Sequence, residues 1–289
     1  DHLFYPLRDS LVEVEMPVIG SSFGQLFGGD HQIEKVTIVG TNGIPKNYFN
    51  ACGTIEALFI SSTVRDVSQN TINCDSLKKL SIPNFEERLD FYGHFPNLEE
   101  LQVLEKDFHY TLVDHFIDGF EHLTSVTFPN NITRTYSFVI SHAPLLKEII
   151  FPESIEAING PLIGPGCGRL EKIVIPFIGY DVLTPMRYEE LNYSFRYTKE
   201  VVVLKDFKIH STTFSLPSIE HLTFKGRIWG EVNGSLKPLE ELKYLNLNQE
   251  DIPYVGVLFT TNEVNSGNER DFWPKRLNTV IINGNEVER

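Results

Sequence analysis

The first stretch whose residues could do chemistry is 20–24, Gly-Ser-Ser-Phe-Gly, which matches the G-x-S-x-G pattern of a serine nucleophile. That chemistry needs a strand before the serine and a long helix after it, so that the hydroxyl is exposed at a sharp turn. A strand is predicted to end near Pro17, but residues 25–30 run directly into the next strand pattern at Ile33. Because this leaves no room for a helix, we predict that Ser22 is not a nucleophile and that the chain is not an enzyme.

The second stretch is residues 109–122, HYTLVDHFIDGFEH, the densest polar cluster of the chain. If it were helical, His115, Asp118 and His122 would share one face and would suit a divalent metal. The competing interpretation is a connection between two strands, with its phenylalanines facing the core and its polar residues facing water. We favour the connection and predict no metal or other cofactor. Residues 164–168, Gly-Pro-Gly-Cys-Gly, lack the lysine of a phosphate-binding loop and predict a turn.

The segments that position these stretches repeat along the chain. Residues 146–152 (LKEIIFP) and 170–176 (LEKIVIP) share one pattern, with apolar residues at a first position and again three and five residues later. Twelve such segments occur, most of them 21–28 residues apart. Their starting residues are Leu11, Ile33, Ile55, Leu77, Leu98, Leu123, Leu146, Leu170, Thr198, Ile219, Leu242 and Leu277.

The residues three and five positions after each starting residue lie on the same face of an extended strand. One strand per ~22 residues leaves too little chain for a long crossover helix, so each unit is one coil that buries its apolar face by stacking on its neighbours. The sequence therefore predicts a β-rich α/β solenoid, a superhelix of about twelve coils with one long parallel sheet.

All three cysteines share one position, three residues before a starting residue: Cys52, Cys74 and Cys167. Other coils place Phe, Ala or Leu there, so the position predicts a core slot in which cysteine acts as a small apolar residue. Cys52 and Cys74 lie in adjacent coils and could approach disulfide distance, but their side chains should point the same way. We predict that all three are reduced.

Composition limits the partners. The net charge of −14 over 289 residues argues against nucleic acid, which needs a basic face. The apolar runs are far shorter than the ~20 residues of a membrane-spanning helix. An odd number of cysteines cannot complete a disulfide framework.

Three segments carry a resemblance to a known family. Residues 49–60 (FNACGTIEALFI), 74–83 (CDSLKKLSIP) and 167–176 (CGRLEKIVIP) resemble the BspA-like leucine-rich repeat of bacterial surface proteins. The resemblance covers all twelve units, and it implies a right-handed solenoid that is secreted or anchored to the cell surface and binds proteins or host matrix without catalysis. The pattern departs from the family at Thr198 and in two long units, where residues 177–195 and 249–274 are predicted inserts.

The sheet's outward face is formed by the residues two and four positions after each starting residue. In the first of these columns Glu148, Lys172 and Glu200 alternate in charge on neighbouring strands and are predicted to pair. In the second, Ile150, Val174 and Val202 are predicted to lie side by side and exposed.

These apolar residues fit either ordinary β-propensity or a contact patch. A patch would bind a partner or lie beneath the insert that follows Pro176. Together with Phe59, the exposed aromatic residue of the same column, Ile150, Val174 and Val202 form the candidate partner-binding set.

We predict one domain over residues 1–289, with residues 1–10 as an apolar lead-in. The expected function is a non-enzymatic binding module of a secreted or cell-surface bacterial protein, whose partner is a protein or a host-matrix component. Two alternatives are a structural spacer that lifts another domain from the surface and, less favoured, a metal-dependent enzyme using residues 109–122. Because the lead-in is too short for a helical cap, we also expect the chain to be part of a longer repeat protein.

Overall fold

A computed structural model describes residues 10–20, 22–27, 31–50, 52–83, 87–106, 110–136, 138–158, 162–176, 198–209, 218–248 and 255–287. The lead-in at 1–9 and the insert at 177–195 lie outside the described residues.

The architecture is a solenoid built on one long sheet, as predicted. Twelve strands stack in parallel and in chain order, and a thirteenth pairs antiparallel with the twelfth. The strands are β1 Glu13–Pro17, β2 Lys35–Val39, β3 Ala57–Ile60, β4 Lys79–Pro83, β5 Glu100–Leu104, β6 Ser125–Thr127, β7 Glu148–Ile150, β8 Lys172–Ile175, β9 Glu200–Val203, β10 His221–Phe224, β11 Tyr244–Leu247, β12 Thr279–Ile282 and β13 Asn285–Val287.

The apolar period of the sequence explains the burial of these strands. In the coil of β2, Ile33, Val36 and Ile38 are all 0% exposed. The residues between them point outward, because side chains alternate along a strand. Strand pairing keeps equivalent positions level, for example Lys35 opposite Ala57. Each outward position therefore forms a column that runs across the sheet.

Short lateral strands close the coils away from the main sheet. They form four small sheets: Phe49–Asn50, Ile72–Asn73 and Gly93–His94; Tyr110–Leu112, Ile132–Thr135 and Ala157–Ile158; Ile117–Asp118 and Ile140–Ser141; Phe207–Ile209 and Ile228–Gly230. Among the described residues, eight connections carry such strands: the six between β2 and β8, and the two between β9 and β11. The regular coils thus number about eight rather than about twelve, because the described parts of the other connections do not repeat the lateral strands.

Within the residues that the structure describes, helices are few and short. One α-helix, α1, spans Phe23–Phe27, and 3-10 helices span Leu89–Tyr92, Val255–Phe259 and Glu269–Phe272. The last two belong to the expected insert 249–274, of which residues 255–274 are described. In the described part of the chain, no helix has the length and apolar character needed to cross a bilayer.

Thr198, the starting residue that departs from the apolar rule, still occupies the core. It is 0% exposed, and its Oγ1 donates a 2.9 Å hydrogen bond to the carbonyl of Leu170 in the preceding coil. The cost of burying a hydroxyl is offset when it finds an acceptor. The polar residue therefore fits without interrupting the repeat.

Candidate functional site

The charged column of the outward face pairs across strands. Lys172 Nζ lies 2.9 Å from Glu148 Oε1 and 3.7 Å from Glu200 Oε1, which confirms the predicted alternation. The hydrogen bond to Glu148 is the main reason that the pKa of Lys172 is raised. The same column also pairs Lys35 with Glu13 at 2.5 Å.

These pairs are partly exposed to solvent, so each contributes little to stability. Their effect is to leave this part of the sheet with few unpaired charges.

Beside the charged column lies the apolar row, which we define as Ile150, Val174 and Val202. The strand register places Ile150 opposite Val174, and Val174 opposite Val202, as predicted. Ile150 is 51% exposed and Val202 is half-buried.

Val174 is only 9% exposed, so the prediction that all three are exposed is wrong for this residue. It lies between branched side chains on both neighbouring strands, ~4.8 Å away on each side, and these cover part of its surface. Ile150 is therefore the most exposed residue of the apolar row.

Phe59 is half-buried and does not join the apolar row. Its strand, β3, is four strands from β7 in the sheet, which is roughly 20 Å. Its ring packs instead beneath Lys35, whose Nζ lies 5.6 Å from the ring centroid. The two parts of the predicted partner-binding set are thus separate on the sheet.

A pair of rings continues the charged column on its C-terminal side, beside the apolar row. His221 and Tyr244 stack with their ring centroids 5.7 Å apart and an interplanar angle of 23°. His221 is opposite Glu200, and Thr223 of the same strand is opposite Val202. We call His221 and Tyr244 the aromatic pair.

Sequence reasoning placed these two residues in the outward column but did not single them out. The signal was present, since both fall at the same position of adjacent repeats.

Residues 109–122 do not form the helix that the metal interpretation requires. The described part contains the lateral strands Tyr110–Leu112 and Ile117–Asp118. Asp118 meets His142 of the next coil, with 2.7 Å between Oδ1 and Nδ1, and His115 lies farther away, with 3.7 Å between Nδ1 and Oδ2.

His122 is exposed in a turn. Within the described residues, no group of three or more His, Cys, Asp or Glu side chains is arranged to hold a metal ion.

Ser22 lies at the start of α1 and has a structural role there. Its Oγ accepts a 3.3 Å hydrogen bond from the backbone N–H of Gln25, as a helix-capping serine does. The helix contradicts our expectation that no helix follows, but it has only five residues, and Phe23, Leu26 and Phe27 are buried. Ser21 lies outside the described residues.

Comparisons with solved structures find matches of low sequence identity. A leucine rich repeat protein from T. pallidum is 14% identical, with 80% of this chain and 83% of that chain covered and a TM-score of 0.33. The pneumococcal vaccine antigen PcpA is 13% identical, with 93% and 67% covered and a TM-score of 0.40. A leucine-rich repeat protein from Bacteroides ovatus is 16% identical, with 86% and 68% covered and a TM-score of 0.28.

No curated protein matches the chain. The assignment rests on a family model instead. The BspA type leucine rich repeat region matches in six copies over residues 4–105 and 94–181, which together exceed half of the 289 residues. The protein belongs to the BspA type leucine-rich-repeat family.

Proposed function

We propose that the chain is a non-enzymatic binding module of a secreted or cell-surface protein, and that it holds a partner protein through the outward face of the main sheet. Its family supports this, since leucine-rich repeats are typical scaffolds for protein interaction. The proposed contact surface consists of the apolar row and the aromatic pair. An extracellular-matrix protein of a host is the partner class that the family resemblance favours.

The observation that carries the proposal is the exposure of Ile150. It lies on β7, an inner strand of the sheet, and more than half of its side chain faces water. At the same position β2, β6 and β10 carry Thr37, Thr127 and Thr223, so the fold itself does not require an aliphatic residue. Exposed apolar surface beside polar residues is typical of interaction sites.

The surroundings of Ile150 suit a protein partner. The neighbouring charges of Glu148, Lys172 and Glu200 are already paired, so a partner desolvates fewer isolated charges when it covers the row. The stacked rings of the aromatic pair add rigid contact area, and aromatic residues are enriched at binding hot spots.

The test compares Ile150→Thr with the wild-type chain on an array of purified extracellular-matrix proteins. Thr keeps the β-branched shape but removes apolar contact, so binding should weaken about tenfold, or about 1.4 kcal/mol. Tyr136→Thr is the matched control, because Tyr136 is 47% exposed but lies beyond a lateral strand rather than on the main sheet.

Equal binding by wild type and Ile150→Thr, or an equal loss in the control, would contradict the proposed surface. Failure of the wild-type chain to bind any matrix protein on the array would contradict this partner class.

A further inference from the structure

Cys52 and Cys74 form a buried pair of thiols in neighbouring coils. They are 1% and 0% exposed, and both are free. The third cysteine, Cys167, is equally buried and free. The three residues share one position of the repeat. Cys167 is therefore the reference for a cysteine that occupies this position without a second cysteine in the preceding coil.

Both sulfur atoms lie against the same lateral strand, and Cys52 Sγ donates to the carbonyl of Asn50 over 3.8 Å. The lateral strands pair Asn50 with Asn73, and Cys52 follows Asn50 by two residues whereas Cys74 follows Asn73 by one. The two cysteines are therefore offset by one residue in this register. Cys74 Sγ reaches into the preceding coil and donates to the carbonyl of Phe49 over 3.5 Å.

The two thiols also influence each other. The neighbouring Cys74 thiol is the largest influence on the pKa of Cys52 and lowers it, while burial opposes the change. The neighbouring Cys52 sulfur, together with burial, raises the pKa of Cys74. Cys52 is therefore the member of the pair that ionises more readily to the thiolate, which is the nucleophilic form of cysteine.

A buried histidine supports the Cys52 thiolate. His31 is 1% exposed, and its position beside Cys52 lowers the thiol pKa further. Its Nδ1 lies 2.9 Å from the hydroxyl oxygen of Thr54 and 3.3 Å from the backbone nitrogen of Ile33.

Cys167 has none of these partners. The equivalent position of the preceding coil is Ala143, so no second sulfur lies beside it. Burial is the main influence on its thiol and raises the pKa to about 11. The sequence slot alone therefore gives an inert thiol, and the pair is chemically distinct.

We propose that Cys52 and Cys74 are an oxidation site, at which a peroxide joins the two neighbouring coils through a disulfide. The Cys52 thiolate attacks one peroxide oxygen, so that an S–O bond forms, the O–O bond breaks and hydroxide leaves. Cys74 then attacks the Cys52 sulfur, so that the S–S bond forms and the S–O bond breaks. Each hydroxide released takes one thiol proton, and hydrogen peroxide and two thiols give a disulfide and two waters.

The full chain is tested with hydrogen peroxide, followed by catalase, unfolding and alkylation of the remaining thiols. Intact mass and peptide mapping should show that the number of free thiols falls from three to one. The peptides should carry a Cys52–Cys74 disulfide within one chain and an alkylated Cys167. A reductant should restore all three. N-acetylcysteine in the same tube reports that the peroxide is active.

Cys74→Ala isolates the first step. Alanine occupies the equivalent slot at Ala143, so the variant should fold. Without its partner, oxidised Cys52 should persist as a sulfenic acid that dimedone labels, whereas the wild-type chain should label weakly. Cys167→Ala should form the disulfide as the wild-type chain does.

Three outcomes would overturn the inference. These are retention of all three thiols while N-acetylcysteine is consumed, loss of Cys167 as fast as loss of the pair, and disulfides that form only between chains.

Discussion

Gly93 provides a test of how closely adjacent coils approach each other. It lies on the lateral strand opposite Ile72, with a φ of +149° that residues with side chains rarely adopt. A Cβ added there would lie 1.7 Å from the Ile72 carbonyl oxygen and 2.6 Å from the carbonyl carbon. Both atoms belong to backbone, so no side chain can turn aside. We therefore expect Gly93→Ala to force the two lateral strands apart.

The cost follows from what that separation breaks. Real Cβ contacts lie beyond 3.0 Å, so the strands must move by more than an ångström. That disrupts ladder hydrogen bonds near the clash, such as Cys74 N to His94 O at 3.1 Å. Each lost hydrogen bond costs about 1 kcal/mol, so the loss of about two of them costs about 2 kcal/mol, and backbone strain adds about 1–3 kcal/mol. The free energy of unfolding should fall by about 3–5 kcal/mol.

Urea unfolding monitored by circular dichroism measures the loss in the free energy of unfolding, and hydrogen exchange shows which coils are destabilised. Because each coil contacts mainly its neighbours, faster exchange should be confined to the coils of Ile72 and Gly93. Gly53→Ala is the matched control, since nothing lies within 4 Å of its added Cβ and its φ is not positive. It should change stability by less than about 1 kcal/mol. Equal destabilisation by the two variants, or exchange that quickens along the whole chain, would refute this account of coil spacing.

Two further predictions concern single hydrogen bonds. Thr198→Val removes the hydroxyl that bonds the Leu170 carbonyl and should lower the free energy of unfolding by about 1 kcal/mol, measured in urea, whereas Thr198→Ser should retain much of it. Glu220 accepts a 2.6 Å hydrogen bond from Lys243, which lowers the pKa of Glu220. A carboxyl group whose pKa is lowered by folding stabilises the folded state at pH values above the ordinary glutamate pKa. That contribution is lost as the pH falls through the lowered pKa. NMR titration should show the Glu220 pKa rising in Lys243→Met; an unchanged pKa would contradict the pairing.

The strand positions could be read from the sequence because one physical requirement fixes them. An apolar residue at a first, fourth and sixth position must face the core, and the observed β2 and β8 fall where that pattern places them. The column of Glu148, Lys172 and Glu200 follows from the same register. The count of regular coils could not be read, because lateral strands depend on connections that carry no such period.

The candidate site was less predictable, because exposure and contact depend on neighbours in space. Val174 follows the outward pattern, yet its branched neighbours and the packing around them leave it only 9% exposed. The one-residue offset between the lateral strands that precede Cys52 and Cys74 is likewise concealed by the column alignment. Phe59 could have been separated from Ile150 by counting the strands between them.

The stacking of parallel strands has a mechanical consequence. Tension along the stacking direction loads the inter-strand hydrogen bonds of one coil at a time, so the coils should peel apart sequentially at low force. Paired residues in β2 and β3 are 22 positions apart, as Lys35 and Ala57 show. At ~3.4 Å per extended residue, and with ~4.8 Å already spanned in the fold, each coil should lengthen the chain by roughly 70 Å when it opens. A chain of this design under load should therefore lengthen in steps of similar size, while the coils that have not yet opened stay folded.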